Sequence, residues 1–365
     1  MLTKAHSDEI IHQYGRLRAW APRLLRRPLG VFFYITGACN LSCTYCWQRD
    51  QDANIHGLMD STRDPMTPEE WVKVVQQLPR PSFLGISGGE STISPSLGPI
   101  IRAAADRRIP VTVNTNALTI RDEHLEILTA PNVRNISISI DGFAAIHDVS
   151  RNRKGLFDKV VVNIGRLNTA RGNRRYPRIS IKTVLLNETI GQLAEFRRFC
   201  AEILGASTLN ISFQKLDEHY QFSLLYQHDL DAVFGTSHSR LYPYRDRDEV
   251  IQVLGDLIDG NERSHCEVVL YPRMKTRAQI RRFLEGDGVG VYEPCYLPLS
   301  MVVVLPDGEV IPCQSFGLGN LRDSGYSLRK VLKAEPYTAF LKRLESYGKA
   351  LPSGCSVCCF SKIEG

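Results

Sequence analysis

Short apolar runs alternate with amphipathic stretches over the first 214 residues. After Pro28 the run Val31-Phe32-Phe33-Tyr34-Ile35 reads as a strand that ends at a loop rich in cysteine. Comparable runs recur at 83–87, 111–114, 136–140, 179–186 and 209–213. Helical periodicity fills the gaps, at 68–77, 97–107, 122–128, 157–170 and 190–204. Thr67-Pro68-Glu69-Glu70 is a helix start, with Thr67 as N-cap, Pro68 at the first helical position and Glu70 three residues on. Six strands alternating with helices predict parallel βα units. In such sheets the site lies at the carboxyl ends of the strands, where the cysteine loop also falls.

The flanking regions differ. Residues 7–27 read as a basic amphipathic helix. Residues 215–290 are harder: 248–260 and 274–285 look helical, and the stretch before them is rich in His and Tyr with weak periodicity. From Pro294 a new pattern begins. Apolar runs at 300–305 and 309–312 flank Pro306-Asp307-Gly308, which predicts a β-hairpin, followed by a helix over 327–345 and a Cys-rich tail. The expected organisation is an N-terminal helix (1–27), a core (28–214), a linker or substrate region (215–290) and a small α+β unit (291–365).

Composition narrows the function classes. The chain has 365 residues, 43 % of them hydrophobic, enough for a substantial core. Net charge is +6 and the pI about 8.8. Arginines gather at 16–27, 171–178 and 273–282 without repeats or interleaved aromatics, so they read as solvated faces and give no case for nucleic acid. No apolar run is long enough for a membrane span, and the N-terminus lacks a signal-peptide core. Ten cysteines without a secretion signal favour metal ligation over disulfides. The expected compartment is the reducing cytoplasm.

The chemistry concentrates in Cys39-Asn40-Leu41-Ser42-Cys43-Thr44-Tyr45-Cys46, a C-x3-C-x2-C spacing. Three thiolates so close can hold three corners of a [4Fe–4S] cluster and leave one iron open. A zinc site is the rival reading, but zinc usually takes four ligands from paired motifs. With Gly37 before it and an aromatic after it, the segment resembles the radical S-adenosylmethionine (radical SAM) superfamily, in its SPASM and twitch branch. The resemblance covers residues 30–214. It implies a partial (β/α)6 TIM-like barrel whose open iron binds SAM, and one-electron cleavage of SAM to methionine and a 5′-deoxyadenosyl radical.

Gly88-Gly89-Glu90 follows the second strand, 42 residues beyond Cys46. The resemblance implies that this segment holds the SAM amino group; glycines allow close backbone approach and an ammonium needs acceptors. Ser91-Thr92 follows where the family usually has Pro. Ser139-Ile140-Asp141-Gly142, then His147-Asp148 and Arg151, resembles the S-x-D-G…H-D…R pattern of the branch, which implies that Ser139 and Arg151 bind the SAM carboxylate. A bidentate arginine suits that task. Asn114 and Asn116 end the third strand and could meet ribose or substrate. Tyr45 and Trp47 could pack on adenine or shield the cluster.

A second set comprises Cys295, Cys313, Cys355 and Cys358. The first two flank the predicted hairpin and the last two form a C-x2-C. With Gly319-Asn320-Leu321 this resembles a twitch or SPASM domain, which implies one auxiliary [4Fe–4S] cluster; a structural zinc is the alternative. The spacing favours Cys358 over Cys359. Cys200 reads as a core residue. Cys266 lies where epimerases of this branch carry a thiol that returns hydrogen to a substrate radical. The expectation is therefore a radical SAM enzyme with two clusters, supplied with electrons by a flavodoxin or ferredoxin. It oxidises or cross-links a small natural product or short peptide; few residues precede the first strand, which favours a small molecule. The alternatives are a redox-neutral epimerase of an aminocyclitol, sugar or peptide using Cys266, and a non-catalytic iron–sulfur or zinc scaffold.

Overall fold

The computed structural model describes residues 27–46, 48, 63–216, 229–235, 240–285, 294–313 and 316–348, with Gln13, Leu17, Cys355 and Cys358. Most of the expected helix at 7–27, together with Trp47 and Cys359, lies outside the described residues.

One ten-stranded sheet organises the molecule. Strands β1 (Gly30–Tyr34), β2 (Phe83–Ser87), β3 (Val111–Thr115), β4 (Val133–Ser139), β5 (Arg178–Leu185) and β6 (Ala206–Phe213) pair in order, each parallel to the next. Each connection carries a helix, the first being Pro68–Gln77, as parallel pairing requires. That helix starts as its sequence predicts: Glu70 N–H donates to Thr67 Oγ1 at 3.3 Å, and Thr67 N–H to a Glu70 carboxylate oxygen at 2.8 Å.

The region read as a linker contributes to the barrel. After the two-residue pair β7 (Lys215–Leu216) and β8 (Arg240–Leu241), helix Arg247–Asp259 leads to β9 (Glu267–Tyr271), which joins parallel to β6. At the other edge, β10 (Met301–Val304) pairs parallel with β1, and β11 (Glu309–Ile311) and β12 (Gly319–Asn320) follow antiparallel. The expected hairpin thus forms, and it is hydrogen-bonded into the main sheet. The expected helix over 327–345 is two helices, Leu328–Val331 and Glu335–Tyr347. Pro336 sits in the first turn of the second, where its fixed φ and missing N–H start a helix and cannot continue one.

Alternation along the strands sets two faces. Ile86, Val113, Ile136, Ile138, Ile181 and Ile211 are fully buried, and the helices contribute Trp71, Ile100, Val160 and Phe196 to the same core. Trp71 packs on Phe33 with ring centroids 4.6 Å apart, so Trp71→Ala would cost about 3–5 kcal/mol. The opposite face is polar: Ser137, Ser180 and Thr208 are buried in one register row across β4, β5 and β6. The main core also continues through Phe316, Leu321 and Phe340 of the C-terminal unit.

Candidate active site

The cysteine loop is held by the strand next to it. Past β1 the ladder continues: Ile35 N–H donates to Ser87 O (3.0 Å), Gly89 N–H to Thr36 O (2.8 Å) and Glu90 N–H to Ala38 O (2.9 Å). Gly88 adopts φ 148°, and a Cβ there would collide with Thr36 O; a Cβ on Gly89 would collide with Ala38 O. The two glycines therefore let the end of β2 lie directly against the loop. On its other side, Thr44 N–H donates to Ser150 O at 2.9 Å, and Asn40 bonds Thr119 (3.1 Å) and Asn116 (2.8 Å). Cys39, Cys43 and Cys46 are half-buried. Burial first, then the neighbouring Cys43 and Cys39, push the Cys46 thiol up to about 11, so the three sulfurs stand within electrostatic reach of one another.

Glu90 is 1 % exposed and its carboxylate is taken up by the protein. Oε1 accepts from Thr92 N–H (2.9 Å), Thr92 Oγ1 (2.7 Å) and Thr115 Oγ1 (2.6 Å); Oε2 accepts from Asn116 N–H (2.7 Å). These bonds tie the ends of β2 and β3 together beside the segment expected to hold the SAM amino group. Ser91, which stands where the family usually has Pro, donates to Asn114 O at 2.6 Å and closes the same turn.

Asp141 is the hub that sequence reasoning passed over, although it stands inside the motif. It is fully buried. Its carboxylate accepts from Tyr45 OH, Ser150 Oγ (3.0 Å), Arg151 Nε (2.6 Å), Arg151 Nη2 (3.0 Å) and Val184 N–H (3.1 Å). Burial works to raise its pKa, but the Arg151 charge outweighs it and holds the carboxyl below the usual range. Arg151 also points Nη1 at Cys43 Sγ, 3.8 Å away, and its guanidinium lies 5.4 Å from the Tyr45 ring centre. Three of its N–H donors are thus engaged, and a guanidinium has five. His147 Nδ1 accepts the Asp141 N–H at 3.1 Å; burial, then Arg151, lower that histidine to about 4. Ser139 and Asn114 sit half-exposed at the carboxyl ends of β4 and β3, beside this network.

The second thiol set also gathers. Burial and then Cys358 push Cys295 up to about 12, and burial, then Cys295, Cys358 and Cys313, push Cys355 well above the ordinary thiol range. Cys295 precedes β10 and Cys313 follows β11, so the hairpin brings their ends together. Cys358 N–H donates to Cys355 O at 3.2 Å. Among the described residues no three His, Cys, Asp or Glu side chains gather around a single metal-ion position. A four-iron cluster takes each thiolate on a different iron, so its ligands stand further apart.

Cys266 is not brought to this face. It is fully buried immediately before β9, at the amino ends of the parallel strands, whereas the cysteine loop follows their carboxyl ends. Its carbonyl accepts from Arg197 Nε at 2.9 Å, and burial pushes its thiol up to about 12. Cys200, beside it, is a core residue. The motif-like position of Cys266 in the chain carried no information on which end of the sheet it would occupy.

Two family models match where the two thiol sets lie: the radical SAM superfamily over residues 33–200, and the SPASM iron–sulfur cluster-binding domain over 295–359. The chain belongs to the radical SAM superfamily, in the branch that carries a SPASM domain. It is 28 % identical over 170 residues to the sporulation killing factor maturation protein SkfB of Bacillus subtilis, covering 46 % of this chain and 38 % of SkfB. It is 27 % identical over 195 residues to the mycofactocin maturase MftC of Mycolicibacterium smegmatis, covering 52 % and 45 %. These matches thus span less than half of either relative. Streptococcus suis SuiB bound to S-adenosylmethionine shares the fold, with TM-score 0.64 and 15 % identity over 90 % of this chain and 72 % of SuiB. Among the described residues no helix is long and apolar enough to cross a membrane.

Proposed function

We propose that this chain is a radical SAM enzyme that oxidatively modifies a peptide. The observation that carries the reading is the gathering of Cys39, Cys43 and Cys46 at the carboxyl ends of the parallel strands, with the Arg151 guanidinium on one of the sulfurs. Three soft ligands in one loop suit a [4Fe–4S] cluster with an open iron, and Cys295, Cys313, Cys355 and Cys358 suit a second, closed one. A SAM-loaded cluster supplies, on one-electron reduction, a carbon radical able to take hydrogen from an unactivated C–H bond. Gly88 and Gly89 bring backbone against the loop, Ser139 and Asn114 offer polar atoms at the open end, and the remaining Arg151 N–H donors suit a carboxylate. Tyr45 closes the loop onto Asp141 and limits water at the thiols. A flavodoxin or ferredoxin in the cytoplasm is the matching source of electrons.

Of the two substrate classes expected, the peptide is the better supported. SkfB and MftC are named for maturation, and SuiB shares this fold in its complex with the precursor peptide SuiA. Oxidation is preferred to epimerisation because the Cys266 thiol stands at the wrong end of the sheet for hydrogen return. The test is anaerobic incubation of reconstituted, reduced protein with SAM and short peptides encoded beside its gene. The expected result is 5′-deoxyadenosine and a peptide two hydrogens lighter. Absence of SAM cleavage in iron-replete protein would sink the enzymatic reading, and a product of unchanged mass in ordinary water that gains one deuterium in deuterated water would favour epimerisation.

A further inference from the structure

We propose that Asp141 is a positioning residue that holds the Arg151 guanidinium against Cys43 Sγ, and that this N–H···S contact tunes the reduction potential of the cluster on the front loop. The inference rests on the cluster assignment above and deepens it. Its ground is the directionality of the network. Asp141 grips Arg151 at two points, Nε at 2.6 Å and Nη2 at 3.0 Å, which fixes the plane of the fork. The remaining nitrogen, Nη1, is then the one aimed at sulfur, at 3.8 Å. Asp141 is itself clamped by Val184 N–H from β5, by Ser150 Oγ and by Tyr45 OH, three contacts from three different segments. None of these partners is a thiol, yet all determine where the cation stands relative to one. The Arg151 side chain is 11 % exposed, so solvent screens the contact weakly.

Hydrogen bonds to cluster sulfurs raise a cluster's potential, because the reduced cluster is more negative and gains more from the donor. Arginine stays charged at every working pH, so the contact is permanent. The arrangement makes the family motif do two things in this chain: its arginine faces the SAM site, and its aspartate sets the electron affinity of the cluster.

The experiment is an EPR-monitored reductive titration of anaerobically reconstituted holoprotein, with the front cluster identified as the signal that changes on adding SAM. Arg151→Gln should lower the equilibrium constant for reduction of that signal about tenfold, about 59 mV for a one-electron couple, with iron content unchanged. Arg151→Lys, which keeps the charge but cannot fork, should recover less than half of the loss. Arg153→Gln removes the same charge from an exposed position two residues on and should leave the midpoint unchanged. Should Arg151→Gln fail to fold, Ser150→Ala removes one clamp on Asp141 and should give a smaller shift in the same direction. An unchanged midpoint in Arg151→Gln and Ser150→Ala, an equal shift in Arg153→Gln, or full recovery by Lys would overturn the proposal. A wild-type protein with no SAM-responsive signal would instead refute the cluster assignment itself.

Discussion

The two thiol sets begin from the same local turn and end in different surroundings. Cys46 N–H donates to Cys43 O at 3.2 Å, and Cys358 N–H donates to Cys355 O at the same distance. In each, the two-residue spacer brings two sulfurs to one side of a turn. At the front, a single further cysteine joins from the same loop, and a guanidinium touches a sulfur. At the rear, two further cysteines arrive from a hairpin, and what moves the thiols is burial and one another. Three ligands with a cation leave room for an exogenous ligand; four ligands do not. The local turn is therefore the same in both sets, and neighbouring segments set what surrounds its sulfurs; under the proposed function they also decide whether the metal does chemistry or serves as a closed centre.

The sharpest way to break that comparison is to remove one set at a time. Replacing Cys39, Cys43 and Cys46 together by Ala should abolish 5′-deoxyadenosine formation and remove about half of the iron, read by iron assay and chromatography. Retained SAM cleavage would end the distinction. Replacing Cys355 and Cys358 by Ala should remove the other half of the iron and leave substrate-free SAM cleavage in place. Loss of cleavage there would show that the rear set is not separable from the front.

A smaller effect concerns pH and the front alone. His147 is held at about 4 in the fold against 6.5 for an ordinary histidine. Between those values the unfolded chain binds more protons, so stability is full above pH about 6.5 and falls as the pH drops towards 4. The loss is about 3 kcal/mol, after which this contribution is flat. His147→Gln should lack this component in urea titrations run across that range; an identical pH slope in both proteins would refute it.

The rear unit is pinned to the barrel through Arg322. Its guanidinium donates to both Glu70 oxygens at 2.7 Å and to the carbonyls of Asp64 and Pro65, and Tyr326 OH donates to Glu70 at 2.9 Å. Arg322→Met should destabilise the protein by about 2 kcal/mol in denaturant unfolding, chiefly by leaving Glu70 underpaired, with the front thiols unaffected. Ser91→Ala, which deletes the single bond from Ser91 to the Asn114 carbonyl, should cost about 1 kcal/mol. A cost near zero would mean that Ser91 merely fills the position usually held by proline.

Much of the architecture was legible because it rests on local periodicity. The strand at 83–87 was placed to the residue, and the start of helix Pro68–Gln77 followed from its capping pattern. The strand at 267–271 was missed because a five-residue apolar run has too little periodic signal inside a polar neighbourhood. The closely spaced cysteines of each set were legible because spacing along the chain is a local property. The hydrogen bonds that fix the Glu90 carboxylate were not legible, since two of its donors, Thr115 and Asn116, come from the end of a different strand.

By itself the sequence determined the parallel βα order, the two turns of closely spaced cysteines and the membership of the family, all of which depend on neighbours in the chain. Tertiary structure alone decided which groups face the sulfurs and which face away. Arg151 reaches Cys43 across 108 positions, and Asp141 gathers donors from Tyr45 and Val184 on either side of it. Cys266, in a comparable stretch of sequence, falls at the opposite end of the sheet. The reason is geometric: in a parallel sheet the two ends of each strand are some five residues apart in sequence, about 16 Å in space, and a motif does not record which end it will face.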